Sequence, residues 1–514
     1  MRHVILPVRA GGHRNAWGSR PASPTGDAVC DEEGFRAGRV LLPILVVVAT
    51  LASCDFLDPT SVENPNVTDE DFLKTPNAAT TWARGVERQL AAAVDQLIMG
   101  AEVVSDNVFN NRTLFSKVFD NPLIEPTDFD VTNIQEAIHR LREMATYGLE
   151  VVVEADQAAT DETRALLHFH RGYAFLLAGE NFVGLPAEAG GPVVEPEGLL
   201  TRAINDFEQA RNLSSDSDMK SAATLAIARA HYAMGNKAEA VAAAAIIRST
   251  APMLLRQVQY DVTDGPTNTM QFAVYDSGQD EFQPLPRLDF LFPKYYSESA
   301  GDQSPIALLK GEEAFLILAE ASIADGDLAG ARAHLLELLD VVAARPKALI
   351  DDRGQSRGRQ GGTWIYPNSS AVRVAASPDD PPRAGLVLTR SEGRVEVPIV
   401  SGTSVTPEML NAATDEESLL ELLYLMRQEI FVLEGRRMSD LGIRFPVAMR
   451  EAETNPNVGR NSPYLQARIP PFIPLNREMD AFAYKDGDTI AVIRHNMNRV
   501  LVQNRTSPAV LPFH

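Results

Sequence analysis

The chain has 514 residues, 45% of them hydrophobic and 23% charged, the mix of a globular protein rather than a disordered or fibrous one. A net charge of −22 argues against nucleic acid or anionic lipid as a direct partner. Only Cys30 and Cys54 are present, too few for a disulfide framework or a cysteine-rich zinc site.

The first feature in chain order is residues 40–58, VLLPILVVVATLASCDFLD. Arg36 and Arg39 precede an apolar run that falls short of the roughly 20 residues a spanning helix needs. A basic flank, a short apolar core and small residues before a cut make a secretory signal. Leu51-Ala52-Ser53-Cys54 resembles a bacterial lipobox, which implies lipidation of Cys54 as the first residue of the mature protein. The competing reading, a short buried helix with an incidental cysteine, is the weaker one. Residues 1–53 are therefore read as leader plus lipoprotein signal peptide, and 54–514 as the body, held to a membrane by its acyl chains. The polar stretch 1–35 is long for a signal and is read as a start placed too far upstream. The removed segment holds six basic and four acidic residues, so the body is more acidic still, and its membrane attachment falls to the lipid.

Past an extended lead, Thr75-Pro76-Asn77 opens a helical pattern running roughly to residue 104, and a second spans about 131–156. Trp82 falls at apolar spacing on the first and is read as core rather than as a platform for sugar stacking. An internal repeat follows. Ile227, Ala228, Gly235, Ala240, Ile247 and Pro252 match the tetratricopeptide pattern of helix, glycine turn and helix. Leu318, Ala319, Gly326, Ala331, Leu335 and Leu338 repeat it. A third, interrupted copy uses Gly172, Phe175 and Gly179, then Ala203, Phe207 and Ala210. The pairs lie near 165–212, 221–252 and 312–343, and stacking would bury what one pair cannot. Between them lie inserts at 180–198, 260–305 and 351–410, long enough to suggest functional loops. A helix is expected over about 416–436, and an irregular end with a few short strands. The fold class is mostly α: tetratricopeptide-like helical pairs embedded in a larger single α-helical globule, with long irregular loops.

Neither H-E-x-x-H nor a phosphate-binding glycine loop is present. His168 and His170 would point about 200° apart on a helix and cannot share a metal. The charges Arg427, Glu429, Glu434, Arg436, Arg437 and Asp440 sit where a helix end favours ion pairs, and a structural network outweighs a catalytic cluster. The expectation is a protein that is not an enzyme, with no metal site, no cofactor and no nucleic acid partner. Binding remains, and loops on a rigid scaffold are its usual place. A sugar needs an aromatic face beside polar groups, which makes Trp364, Tyr366, Tyr295 and Tyr296 the candidates, each weighed against simple packing within its loop.

Several stretches together resemble the SusD/RagB family of outer-membrane nutrient-binding lipoproteins. They are Cys54-Asp55-Phe56-Leu57-Asp58, Phe292-Pro293-Lys294-Tyr295-Tyr296, Leu316-Ile317-Leu318-Ala319-Glu320-Ala321 with Asp325-Gly326-Asp327, Arg427-Gln428-Glu429-Ile430, Glu434-Gly435-Arg436-Arg437 with Asp440-Leu441, and Ile469-Pro470-Pro471-Phe472-Ile473-Pro474. The resemblance implies helical pairs on one side and a ligand-binding side built from the inserts near 260–305 and 351–410. It also implies an outer-membrane, cell-surface location and a SusC-like TonB-dependent transporter as partner. The helical side would face that transporter, to which the protein would pass an oligosaccharide or peptide captured at the cell surface. The rival reading is a tetratricopeptide-type scaffold lipoprotein of an envelope complex, and a surface hydrolase is a distant third.

Overall fold

The computed structural model describes residues 69–110, 117–276, 282–297, 301–351, 353, 366–487, 489–510 and 513. Cys54, the signal segment and Trp364 lie outside the described residues. Among the described residues, nine helices of 13 residues or more carry the architecture: α1 (Ala78–Val104), α2 (Phe129–Tyr147), α3 (Asp161–Asn181), α4 (Pro196–Leu213), α5 (Ser217–Met234), α6 (Lys237–Thr250), α7 (Glu312–Ala324), α8 (Leu328–Ala343) and α9 (Glu416–Ile430). The fold is mostly helical with a few short strands, as the sequence patterns imply.

Successive helices pack as neighbours: α3 on α4, α4 on α5, α5 on α6, and α7 on both α8 and α6. Only Gly235 and Asn236 join α5 to α6, and Asp325–Asp327 join α7 to α8, connections short enough to force antiparallel neighbours. Gly235 and Gly326 both adopt φ 77°, the left-handed helix cap that a side chain resists. Asp327 then caps α8, accepting from the Gly330 amide at 2.9 Å. In the interrupted copy, Gly172 and Gly179 mark the close approaches: a Cβ would stand 2.9 Å from the Phe207 ring at the first and 2.7 Å from Leu200 at the second.

α7 is buried around its whole circumference, so its EEAFLILAEASIA sequence shows no polar face. Two of its three acidic residues are matched by cations from other elements. Glu312 pairs with Arg345 at 2.7 Å, and Glu313 takes Arg436. The cluster at 427–440 is a set of such buried ties. Arg427 holds Asp440 at 2.8 Å, Arg437 holds Asp106 at 2.6 Å, and Glu434 receives both Lys294 and Lys310. A buried ion pair contributes little net stability when intact, but losing one partner strands a charge.

Three details differ from the sequence reading. The helix beginning at Glu416 stops at Ile430 rather than near 436, because Leu433 (φ 61°) and Gly435 (φ 70°) turn the chain left-handed. The second helix changes to a π-turn at Gly148–Val152 before a last short turn. The irregular end contains a helix, Met497–Gln503. Trp82 lies half-buried in the packing, donating Nε1–H to Met144 O at 2.8 Å.

The inserts supply some of the short strands. The alternating run near 394–397 becomes Val395–Pro398, antiparallel to Lys347–Ile350. A three-stranded sheet joins the 351–410 insert to the end of the chain: β1 (Arg373–Ala375), β2 (Phe482–Lys485) and β3 (Ile490–Ile493). β3 is central, antiparallel to β2 and parallel to β1, with Ala491 opposite Val374. Ala375, Ile490 and Val492 form a small apolar cluster of their own, apart from the main helical core.

Candidate functional site

Strands β2 and β3 of this sheet, with Pro378 just past β1, wall an open groove of about 600 Å³, within the size range of ligand sites. Its lining combines a largely buried apolar strip, Phe482 and Val492 at 7% exposure each and the fully buried Ile493, with Asn476, Arg477, Glu478, Lys485 and Arg494. Alternation along β2 sends Phe482 inward and leaves Ala483 and Lys485 exposed. Behind the strip the aromatic packing is continuous. Phe482 lies 6.3 Å from Phe109, and Phe109 lies 6.4 Å from Tyr366.

The loop leading into β2 is held in an unusual conformation. Asn476 and Arg477 are consecutive non-glycine residues with φ 61° and 63°, a geometry costing on the order of 1–3 kcal/mol each. It is fixed from outside the loop: the Asn476 amide donates to Asn121 O at 3.0 Å, and Arg477 reaches Asp120 Oδ2 at 3.3 Å. Opposite it, Arg494 pairs with Glu478 at 2.6 Å. These side chains present donors and acceptors in fixed positions along the groove. Just beneath, Asp480 is 1% exposed, and neither carboxyl oxygen has a hydrogen-bond partner among the described residues. Burial, reinforced by the charges of Asp120 and Asp106, pushes its carboxyl well above the usual carboxylate range. Among the described residues no three His, Cys, Asp or Glu side chains gather as a metal site.

The aromatic residues singled out from sequence have different fates. Tyr295 is 2% exposed and donates its hydroxyl to Leu433 O at 2.7 Å. Tyr366 is 3% exposed and reaches Asp289 Oδ1 at 3.1 Å. Both rings are enclosed and offer no face to a ligand in this state, because each hydroxyl finds a buried partner that draws the ring inward. Tyr296 is half-buried and packs edge-on to Tyr275 at 5.2 Å, away from the groove-lining residues. None of these three lines the groove, although Tyr366 backs its aromatic wall. The groove residues themselves carry no motif. The one local signal was a pair of short apolar runs around Asp486-Gly487, the turn between β2 and β3.

The sequence matches no protein-family model and no curated protein. Solved structures do match. The chain is similar to SusD-like proteins. One, a SusD-like protein from Bacteroides fragilis, is 14% identical, with a TM-score of 0.49 over 73% of this chain and 87% of that one. A SusD superfamily protein from Bacteroides fragilis is 15% identical, with a TM-score of 0.48 over 84% and 99%. A SusD-like carbohydrate binding protein from Bacteroides vulgatus is 13% identical, with a TM-score of 0.46 over 71% and 82%.

Proposed function

We propose that this chain is a non-catalytic, cell-surface lipoprotein that binds a neutral oligosaccharide in the β1–β3 groove and hands it to a SusC-like TonB-dependent transporter. The observation that carries the reading is the groove itself, an apolar strip beneath a rim of fixed amide, guanidinium, ammonium and carboxylate groups. A sugar ring has the complementary form, one apolar face and a circle of hydroxyls. Arg494 pairs with Glu478 and Arg477 with Asp120, which removes most of the rim's charge and favours a ligand of little net charge. Attachment through Cys54 and the transporter partner rest on the sequence motifs, with the helical pairs as the face toward the transporter. No helix of the described residues is long and apolar enough to cross a membrane, so lipid on Cys54 would be the tether.

Thermal shift of the purified full chain against neutral oligosaccharide and peptide panels tests the ligand class. A ligand at 100 times its Kd stabilises the folded state by about 2.7 kcal/mol through mass action. Stabilisation by an oligosaccharide is the expected result. Stabilisation by peptides alone would replace the ligand class, and silence from both panels would favour the scaffold reading. Mass spectrometry of the membrane-extracted protein should find acyl chains on Cys54 and none in Cys54→Ser.

A further inference from the structure

A second cavity lies across the segment that follows β1. Pro378 of that segment lines the groove, whereas Ala376 and Asp380 line a smaller, more enclosed space of about 200 Å³. Much of its wall is apolar: Leu422 and Leu425 from one face of α9, with Val374, Pro381, Leu386 and Met409 from the 351–410 insert. An apolar cavity of about 150 Å³ is enough to admit benzene, so the space fits one compact ring or branched chain and little more.

Five charged side chains border it, Arg287, Asp380, Arg383, Glu421 and Glu429, and four of them are engaged by the protein. Arg287 shares Asp106 with Arg437, at 3.0 and 2.6 Å. Asp380 and Glu421 share Arg499, at 2.6 and 3.1 Å. The first group carries one positive charge in excess and the second one negative, so the two cancel. Glu429 accepts from the Ser404 amide and the Thr403 hydroxyl, both at 2.7 Å, and from the Ser404 hydroxyl at 2.6 Å.

Arg383 is the exception. Its backbone exchanges hydrogen bonds with Val374 at 2.8 and 2.9 Å, and its Nη2 donates to Ser404 O at 2.7 Å, so the guanidinium is held in place. It is half-buried and pairs with no carboxylate among the described residues. Its Nε and Nη1 have no partner there either, yet they are not among the atoms closed off from solvent. Glu429 feels the Arg383 charge from beyond pairing distance, and burial pushes the Glu429 carboxyl above its usual range, which weakens it as a counter-charge. A fixed guanidinium with two open nitrogens beside an apolar space is suited to a carboxylate carried on an apolar body.

We propose that this cavity binds a small monocarboxylate with a compact apolar body, its carboxylate on Arg383 and its ring or branched chain against Leu422 and Leu425. The inference does not rest on the saccharide reading of the groove; it assigns a separate site and a different class of ligand.

The test is calorimetric titration of the purified full chain at pH 7 with benzoate, phenylacetate and 4-methylpentanoate, and with the uncharged amide of each. At least one acid should bind, and its amide should bind tenfold more weakly or worse. Arg383→Gln removes the charge but keeps a donor for Ser404 O, and Ala376→Trp adds bulk to the lining from a half-exposed position. Each should weaken the acid tenfold or more. Lys485→Ala/Arg494→Ala alters only the groove and should leave the acid's affinity unchanged. Should Arg383→Gln fail to fold, Ala376→Trp and the comparison of acid with amide decide. No binding of any acid, equal affinity for acid and amide, or binding that survives either cavity variant overturns the proposal. Oligosaccharide affinity measured on the same variants reports on the groove, so failure of either reading is seen separately.

Discussion

His170 shows how much one buried side chain can bias the molecule. It is fully buried on α3, with neither ring nitrogen hydrogen-bonded among the described residues, and burial, with Arg256 nearby, pushes its pKa from 6.5 down to about 3. The unfolded chain therefore takes up a proton near pH 6.5 that the folded chain refuses until about pH 3. The stability His170 provides is complete above pH 6.5 and is lost as pH falls, at about 1.4 kcal/mol per unit. His170→Leu should match the wild type at pH 7 and exceed it increasingly between pH 6 and 4, by urea midpoint. Parallel pH curves for the two proteins would contradict this. His139, also pushed down to about 3 by burial, keeps its own acid sensitivity in the variant. Glu102 and Glu320 act in the opposite sense: burial raises both to about 7. Each holds a proton in the folded state that the unfolded chain gives up near pH 4.5, so their contribution is present at low pH and lost as pH rises through 7.

The same separation of local from long-range causes governs the elements. Gly326 has open space where a Cβ would go, so Gly326→Ala isolates the cost of the left-handed cap between α7 and α8. It should lower stability by about 1–2 kcal/mol with an unchanged m-value, and a neutral effect would mean that the turn tolerates another conformation. Arg437→Leu tests the tie between Arg437–Asp440 and Asp106 at the end of α1. Asp106 would keep Arg287 alone, and the loss should be about 3–5 kcal/mol. A change below about 1 kcal/mol would show that Arg287 compensates. The helical pairs were legible in the sequence because glycine at the turn and small residues at the contacts are local signals of fixed spacing. The end of α9 was not, since the residues past Ile430 remain apolar and only backbone angles at Leu433 and Gly435 break the helix. The helix Met497–Gln503 was missed because seven residues are too few to establish a period.

At the scale of the whole molecule, helices supply the frame and the two ends of the loop-rich half supply the site. β1 and β3 pair across more than a hundred residues of chain, Val374 opposite Ala491, and no sequence pattern announces that pairing. This is why aromatic content pointed to Tyr295 and Tyr366, whose rings the fold encloses, while Lys485, at the end of β2, and Arg494, just past β3, drew no notice. The helical half was readable from composition and spacing; the groove exists only once the insert and the chain's end meet. Because Lys485 and Arg494 are exposed, they can be changed without disturbing the helical core. Lys485→Ala/Arg494→Ala should leave the melting temperature within about 2 °C of wild type, consistent with exposed positions lying within ±0.5 kcal/mol.

The most direct test of the account is the affinity of that double variant for whichever neutral oligosaccharide stabilises the wild type, measured by calorimetric titration of both full-length proteins. Binding in the groove predicts a loss of tenfold or more, about 1.4 kcal/mol, with folding intact. Equal affinity in the two proteins would place the ligand elsewhere and contradict the assignment of the groove.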